Sequence, residues 1–390
     1  MSVLHALQTR AAPFVALRRD LHRHPELGLH EFRTSELLAQ QLESWGYTVT
    51  RGLATTGLVA QLKRGSGGKR LGLRADMDAL PIHEANDLAH CSVHAGVMHA
   101  CGHDGHSAML MAAAQYIAQE VEFSGTLNLI FQPAEEHPGG AQIMIKEGLF
   151  ERFPCDAIFA AHNMPGVAAG ELVFIEGPAM ASSDDVTITL TGVGGHGAMP
   201  HRAQDPIVAA AAIVMTLQTI VSRNVDPQHT AVITVGSLVA GKANNVIPAS
   251  ARLELSVRSL DREVRDLLQS RITSLVTAQA QSLGVLAHID YKRDYPVLVN
   301  TPAETELARQ VGTELLGAER VTRQGRPLTG SEDFAFMLEH CPGSYWLIGN
   351  GAGDGQGSCM VHNPGYDFND DILPVGAAFW ALLTQRYLKD

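Results

Sequence analysis

The chain has 390 residues, 45% hydrophobic and 18% charged, with 29 basic against 41 acidic residues and a formal net charge of −12. At about 150 residues per domain this length makes two or three domains, and the apolar content excludes a disordered or fibrous chain. The acidic balance argues against a general binder of nucleic-acid phosphates. Five cysteines (Cys91, Cys101, Cys155, Cys341 and Cys359) are odd in number and scattered, which is no disulfide framework and suits a cytoplasmic protein. The apolar stretch 11–17 runs into Arg18, Arg19 and Asp20 with no cleavage site behind it, and 207–215 is too short to span a bilayer. Neither an export signal nor a membrane partner is expected.

In chain order, residues 12–45 read as two helices broken at His24-Pro25-Glu26-Leu27-Gly28. The runs 57–63 and 70–74, separated by Gly65-Ser66-Gly67-Gly68, predict a β-hairpin. A helix over 107–120 and short strands at 126–132 and 156–161 follow, an alternation that predicts a mixed or mostly parallel sheet flanked by helices. From residue 182 the pattern changes. A strand at 186–191, a helix over 205–222 with Asp205 as N-cap and Pro206 at its first position, strands at 231–238 and 251–256, a helix over 261–283 and a strand at 287–291 give the order β-α-β-β-α-β. The predicted fold class is therefore α/β with two domains. Residues 1–183 and 297–390 form a mixed-sheet domain with helices on both faces, and 184–296 form an inserted ferredoxin-like unit. The glycine-dense stretch 349–357 reads as a mobile loop.

Histidine is the unusual component. Of 18 in the chain, six (His83, His90, His94, His99, His103 and His106) fall between positions 83 and 106. Within that stretch, Cys101-Gly102-His103-Asp104 offers a thiolate and an imidazole at one end of a glycine-hinged loop, both good ligands for a divalent cation. Glu135-Glu136 follows an apolar strand directly. Adjacent carboxylates repel unless a cation neutralises one, which leaves the other as a general base. His162 ends another strand-like run, and His362 lies in Val361-His362-Asn363-Pro364. Taken alone, a strand-end histidine is usually structural; the signal is that three such sites fall where α/β proteins place their ligands. In the inserted unit, His196 sits in a glycine-rich turn, Asn245 in a loop with amide donors, and Arg258 after a strand, where it suits a carboxylate or an oxyanion.

Taken together, these blocks resemble the M20 metallopeptidase family, in particular its aminoacylase/hippurate hydrolase branch, subfamily D. The matching pieces are Asp20-Leu21-His22-Arg23-His24-Pro25-Glu26, Arg74-Ala75-Asp76-Met77-Asp78-Ala79-Leu80-Pro81, Cys101-Gly102-His103-Asp104 and Gln132-Pro133-Ala134-Glu135-Glu136. Gly195-His196-Gly197-Ala198, Asn245-Val246-Ile247-Pro248, Ser331-Glu332-Asp333-Phe334 and His362-Asn363-Pro364 follow in the same order. The resemblance implies two divalent metal ions (Mn, Zn or Ni) held by Cys101, His103, Glu136, His162 and His362, with Glu135 as general base. It also implies that the inserted unit is a lid and dimerisation domain, in which His196 and Asn245 meet the substrate or its oxyanion. The implied reaction is hydrolysis of a small N-acyl amino acid by a homodimer. A dipeptidase or carboxypeptidase would use the same site, and a catalytically silent metal-binding protein is a further alternative; no Gly-x-Ser-x-Gly elbow points to a serine hydrolase. Where most of the family carries His-x-Asp, this chain has Asp76-x-Asp78, so Asp78, or else Asp76, is expected to orient a ligand from behind, and Cys101 to bridge the metals.

Overall fold

The computed structural model describes residues 2–322 and 324–389. Contacts divide it into two compact units: Met1–Gly177 with Val299–Arg326 and Asp333–Asp390, and Pro178–Leu298 with Pro327–Glu332.

The larger unit is built on an eight-stranded mixed sheet. Its spatial order is Thr48–Leu53, Gly57–Arg64, Gly125–Gln132, Arg70–Asp76, Ala157–Pro165, Gly343–Gly351, Leu172–Val173 and Val321–Thr322. The four central strands run parallel and are almost wholly buried, as a sheet covered on both faces requires. Asp76 and Gln132 are register partners, so two of these strands end level and release Asp78 and Glu135-Glu136 side by side. The helices His103–Glu120 and Leu373–Tyr387 are apolar nearly all round because they lie inside the unit. Trp346, Phe379 and Trp380 interlock in the core, with ring centroids 4.2 to 5.5 Å apart.

Three sequence expectations need correction here. The strands Gly57–Arg64 and Arg70–Asp76 are not a hairpin, because Gly125–Gln132 lies between them, antiparallel to the first and parallel to the second. The hairpin instead joins Thr48–Leu53 to Gly57–Arg64 through Ala54 and Thr55, both at positive φ; such a turn carries no glycine or proline flag at those two residues. The helix expected from 107 begins at His103, since Gly102 at φ 97° turns the chain into it. Residues 349–351, expected in a loop, complete the Gly343–Gly351 strand by pairing with Ala157–Pro165.

The smaller unit carries the four-stranded antiparallel sheet Ala231–Ala240, Ser250–Ser259, Ser182–Thr191, Leu286–Arg293 in that spatial order, the ferredoxin-like arrangement. Its helices Pro206–Arg223 and Arg262–Ser282 start where Asp205 and Asp261 accept backbone N–H bonds from Ile207 and Val264. The first of them is long and apolar enough in composition to cross a membrane, yet Ala209, Ala210, Ile213, Leu217 and Ile220 pack into the unit's core. Pro327–Glu332 joins this unit because Ala181 N–H donates to Leu328 O and Gly330 O and Leu328 N–H donates to Ala179 O.

In the larger unit, a buried ionic cluster ties the helix Ala12–Arg23 to the helix that begins at His103. Arg18 donates to Asp370 and Asp367 at 2.8 and 2.9 Å, while His22 Nδ1 lies 2.9 Å from Asp104 Oδ2 and Nε2 lies 3.2 Å from Glu84 Oε1. Burial alone would lower the His22 pKa, but Asp104 and Glu84 outweigh it and raise it to about 9. Burial likewise pushes Glu84 up, and its bonds from His22 and Ser92 bring it down to about 2. A raised imidazolium stabilises the fold fully below its ordinary 6.5 and loses that contribution as pH rises through about 9; a depressed carboxylate contributes fully above its ordinary 4.5 and loses it as pH falls through about 2. His22→Gln is therefore expected to lower stability by roughly 3 kcal/mol near pH 5–6, and by much less at pH 10. Thermal melts across that range check this, and a pH-independent penalty would show that His22 carries no charge in the fold.

Candidate metal centre

The candidate ligands of the larger unit gather toward the carboxyl ends of the parallel strands and at the N-terminus of the helix His103–Glu120, the rim where open α/β sheets bind ligands; His162, expected at a strand end, lies within Ala157–Pro165, three residues before that strand ends. Among the described residues, several groups of donor atoms lie within 4.8 Å of one another, and three of them hold the expected ligands: Cys101, His103 and His162; Cys101, Glu136 and His362; and His103, Glu135 and Glu136. The structure thus brings together Cys101, His103, Glu135, Glu136, His162 and His362. Cys101 belongs to two of these groups.

The backbone is shaped to this end. Gly102 is left-handed at φ 97°, and a Cβ there would meet Asn163 Nδ2 at 2.2 Å and Tyr366 Oη at 2.4 Å. Asn163 in turn donates to Cys101 O at 2.7 Å and accepts from Tyr366 Oη at 2.8 Å. His362, also at positive φ, is held by its N–H on Ala100 O at 2.7 Å. Such conformations in non-glycine residues persist where the surroundings enforce them.

Carboxylates orient two of the imidazoles and a backbone carbonyl a third. His103 Nδ1 lies 3.1 Å from Asp78 Oδ1, so Asp78 is the group behind His103. Asp78 Oδ2 also accepts the Glu136 N–H at 3.0 Å. Asp76 serves a different ring: His106 Nδ1 donates to its Oδ1 at 2.6 Å, and His106 Nε2 accepts the Asn163 N–H at 3.0 Å. His162 Nδ1 donates to Asn163 O at 2.6 Å, which turns its Nε2 toward Cys101 Sγ, 3.2 Å away. Beneath Glu135, a buried cluster links Arg74 to Gln132, Asp76 and Asp333 at 2.8, 2.6 and 3.1 Å. Asp333 accepts the Ala141 N–H at 2.9 Å and donates its own N–H to Glu135 Oε1 at 3.4 Å.

The electrostatics are those of crowded, buried anionic groups. Burial lowers the His103 pKa, but Asp76, Asp78 and Glu136 outweigh it and raise it to about 10. Burial, Glu136 and Glu135 push the Cys101 thiol well above its ordinary value, whereas burial and His106 hold His162 well below its own, in the neutral form that ligates. His103 Nε2 is buried with no hydrogen-bond partner, and Glu136 Oε1 lies 2.9 Å from His362 Nε2 without the alignment of a hydrogen bond. A thiol, three imidazoles and a carboxylate with such orphaned atoms fit divalent transition metals, and a cation there would reverse the proton affinity of Cys101.

The three remaining candidates belong to the smaller unit. His196 and Val246 are register partners in a two-residue ladder, and Gly197 N–H donates to Asn245 O at 2.8 Å, so His196 and Asn245 are neighbours. Arg258 is not with them. It lies at the end of its strand opposite Ser183 and donates to Ser331 Oγ at 2.7 Å.

Sequence reasoning named no role for His106, Asn163, Arg74 or Asp333. For His106 the signal is its place three residues after His103 on the same helix; Asp333 lies within Ser331-Glu332-Asp333-Phe334.

The profile of peptidase family M20/M25/M40 matches residues 72–386. The chain belongs to this family. It is 42% identical over 389 residues to a hippurate hydrolase of Campylobacter jejuni, covering 100% of each chain. It is 35% identical to an N-acetyl-L-cysteine deacetylase of Bacillus subtilis, covering 98% of this chain and 90% of the relative. These likenesses agree with the amidohydrolase branch of the family, whose members are hydrolases of amide bonds. Among solved structures, a dinuclear metal-binding M20 peptidase from Bacillus subtilis superposes with a TM-score of 0.85 at 30% identity, covering 98% of this chain and 99% of the other.

Proposed function

We propose that this chain hydrolyses the amide bond of N-acyl amino acids, of the hippurate or N-acetyl type, releasing a carboxylic acid and a free amino acid. The observation that carries this is the convergence of Cys101, His103, Glu136, His162 and His362 around the nearly buried Glu135, in a chain alike over its full length to hydrolases named for such substrates. Those five residues would hold two divalent ions, which when bound would supply carbonyl polarisation and a water whose pKa falls from 15.7 toward ~7.

Glu135 then takes a proton from the attacking water. As the C–O bond forms and the C–N bond breaks, it delivers that proton to the departing nitrogen. The Asp333 N–H on its Oε1 keeps the carboxylate oriented. Asp78 orients His103 and anchors the Glu136 N–H, so one carboxylate steadies two ligand positions. In this scheme His196 and Asn245 steady the developing oxyanion from a closing lid, and Arg258 takes the substrate carboxylate. Five free cysteines suit a cytoplasmic setting.

The homodimer we assign to the smaller unit. Its edge strand Ala231–Ala240 exposes Leu238 at 45% and Val239 at 66%, and its helix Pro206–Arg223 exposes Met215 at 71%. An unblocked strand edge beside apolar side chains suits pairing with a second copy. Val239→Lys is expected to shift the sedimentation mass from two chains to one; a parent protein that sediments as a single chain removes the dimer.

The reaction is tested on metal-stripped protein before and after Mn²⁺ or Zn²⁺ is added, with N-benzoylglycine, N-acetyl amino acids and dipeptides. Metal-restored release of the amino acid from the acyl substrates is expected; cleavage of the dipeptides alone assigns a peptidase instead. Glu135→Gln should keep its metal and lose roughly 10²–10⁴-fold in turnover. Retention of most activity in that variant would remove Glu135 from the base role.

A further inference from the structure

Glu31 is fully buried, at the N-cap position of the helix Phe32–Ser44, yet its side chain does not cap that helix. It reaches two other segments. Oε2 accepts the hydroxyl of Thr56 at 2.6 Å, and Oε1 accepts the backbone N–H of Ala134 at 2.9 Å. Ala134 is the residue immediately before Glu135, it is buried, and it stands at φ 54°, a left-handed conformation that an alanine disfavours. Its carbonyl accepts from Gly139 and Gly140 at 3.1 and 2.8 Å, which folds 134–140 back on itself.

The packing about this turn leaves little slack. A Cβ on Gly28 would meet His137 O at 2.5 Å and the Ala134 Cβ at 2.9 Å, and one on Gly140 would meet Pro133 O at 1.8 Å. On the far side of Glu135, the Glu136 N–H is held by Asp78 at 3.0 Å. Two carboxylates from separate segments therefore grip the two peptide N–H groups that flank Glu135.

We infer that Glu31 is a positioning residue for the reaction: through the Ala134 N–H it holds the left-handed turn that aims the Glu135 carboxylate. This rests on the assignment of Glu135 as the general base. Glu31 touches neither the donor cluster nor the reacting atoms in this account; it fixes the peptide from which Glu135 projects. What the turn requires is an acceptor oxygen rather than a charge. Burial pushes the Glu31 carboxyl up to about 7, and an acceptor oxygen is present in either protonation state.

The test compares metal-loaded full-length parent, Glu31→Ala, Glu31→Gln, Thr56→Val and Glu135→Gln on the best substrate of the panel, with metal content and amide exchange measured on the same samples. Glu31→Ala is expected to lower kcat by roughly 10- to 100-fold with KM within about twofold and bound metal unchanged. Amide exchange across residues 133–141 should quicken at least about tenfold. Glu31→Gln, whose amide oxygen still accepts the Ala134 N–H, should recover kcat to within about threefold and restore slow exchange. Should Glu31→Ala not fold, Thr56→Val decides, with kcat expected to fall roughly three- to tenfold at unchanged KM.

A parent-like kcat in folded Glu31→Ala, or in Thr56→Val where that variant decides, overturns the inference. So does a Glu31→Gln as impaired as Glu31→Ala, which would assign the effect to charge. Glu135→Gln separates the two levels. If it is inactive while Glu31→Ala is fully active, the positioning role alone fails; if it turns over like the parent, the general-base assignment fails and the positioning role with it.

Discussion

Four carboxylates, Asp76, Asp78, Glu135 and Glu136, gather with the Cys101 sulfur around His103 in a space from which water is largely excluded. Held there without positive charge they would repel one another strongly, since burial weakens the screening that water supplies. The larger unit is organised around that constraint. Arg74 lies between Asp76 and Asp333, and His106 caps the other Asp76 oxygen. Burial would push Asp76 up, but His103, Arg74 and His106 together hold it well below the ordinary carboxylate range. Arg74 and His106 stand on the Asp76 side of the cluster, and on the side of Cys101 and Glu136 the groups that meet the carboxylates are His103 and His362, themselves ligand types, where a metal pair has its place in this account.

The backbone bears a matching load. Gly102, Ala134 and His362 all lie at positive φ within the site, and each is pinned by hydrogen bonds to or beside it: Asn163 on the Cys101 carbonyl, Glu31 on the Ala134 N–H, Ala100 on the His362 N–H. The parallel strands deliver the side chains to a common rim, and these turns convert that delivery into a fixed constellation. Function here depends less on the ligand residue types, which are common, than on a set of peptide conformations that few neighbours can enforce.

Much of this was legible before the structure. The ligand types, the carboxylate pair after a strand and the β-α-β-β-α-β order were read from residue type and periodicity, because each is local. What escaped depends on contacts between distant segments. No period or motif shows that Gly125–Gln132 lies between the strands once expected to form a hairpin. Glu31 belongs to no motif in the sequence, and its partner lies 103 residues away. The choice between Asp76 and Asp78 behind a ligand was open from spacing alone; geometry gives Asp78 to His103 and Asp76 to His106. A glycine-rich block reads as a loop, so the pattern starts the helix at 107, although Gly102 is the hinge that starts it at His103.

The most direct test of the central claim is anomalous X-ray diffraction from crystals of the manganese- or zinc-loaded protein, collected on either side of the metal's absorption edge. The account predicts two peaks per chain, roughly 3.5–4 Å apart, within reach of Cys101, His103, His162, Glu136 and His362. A single peak, or two peaks away from Cys101 and Glu136, would contradict it.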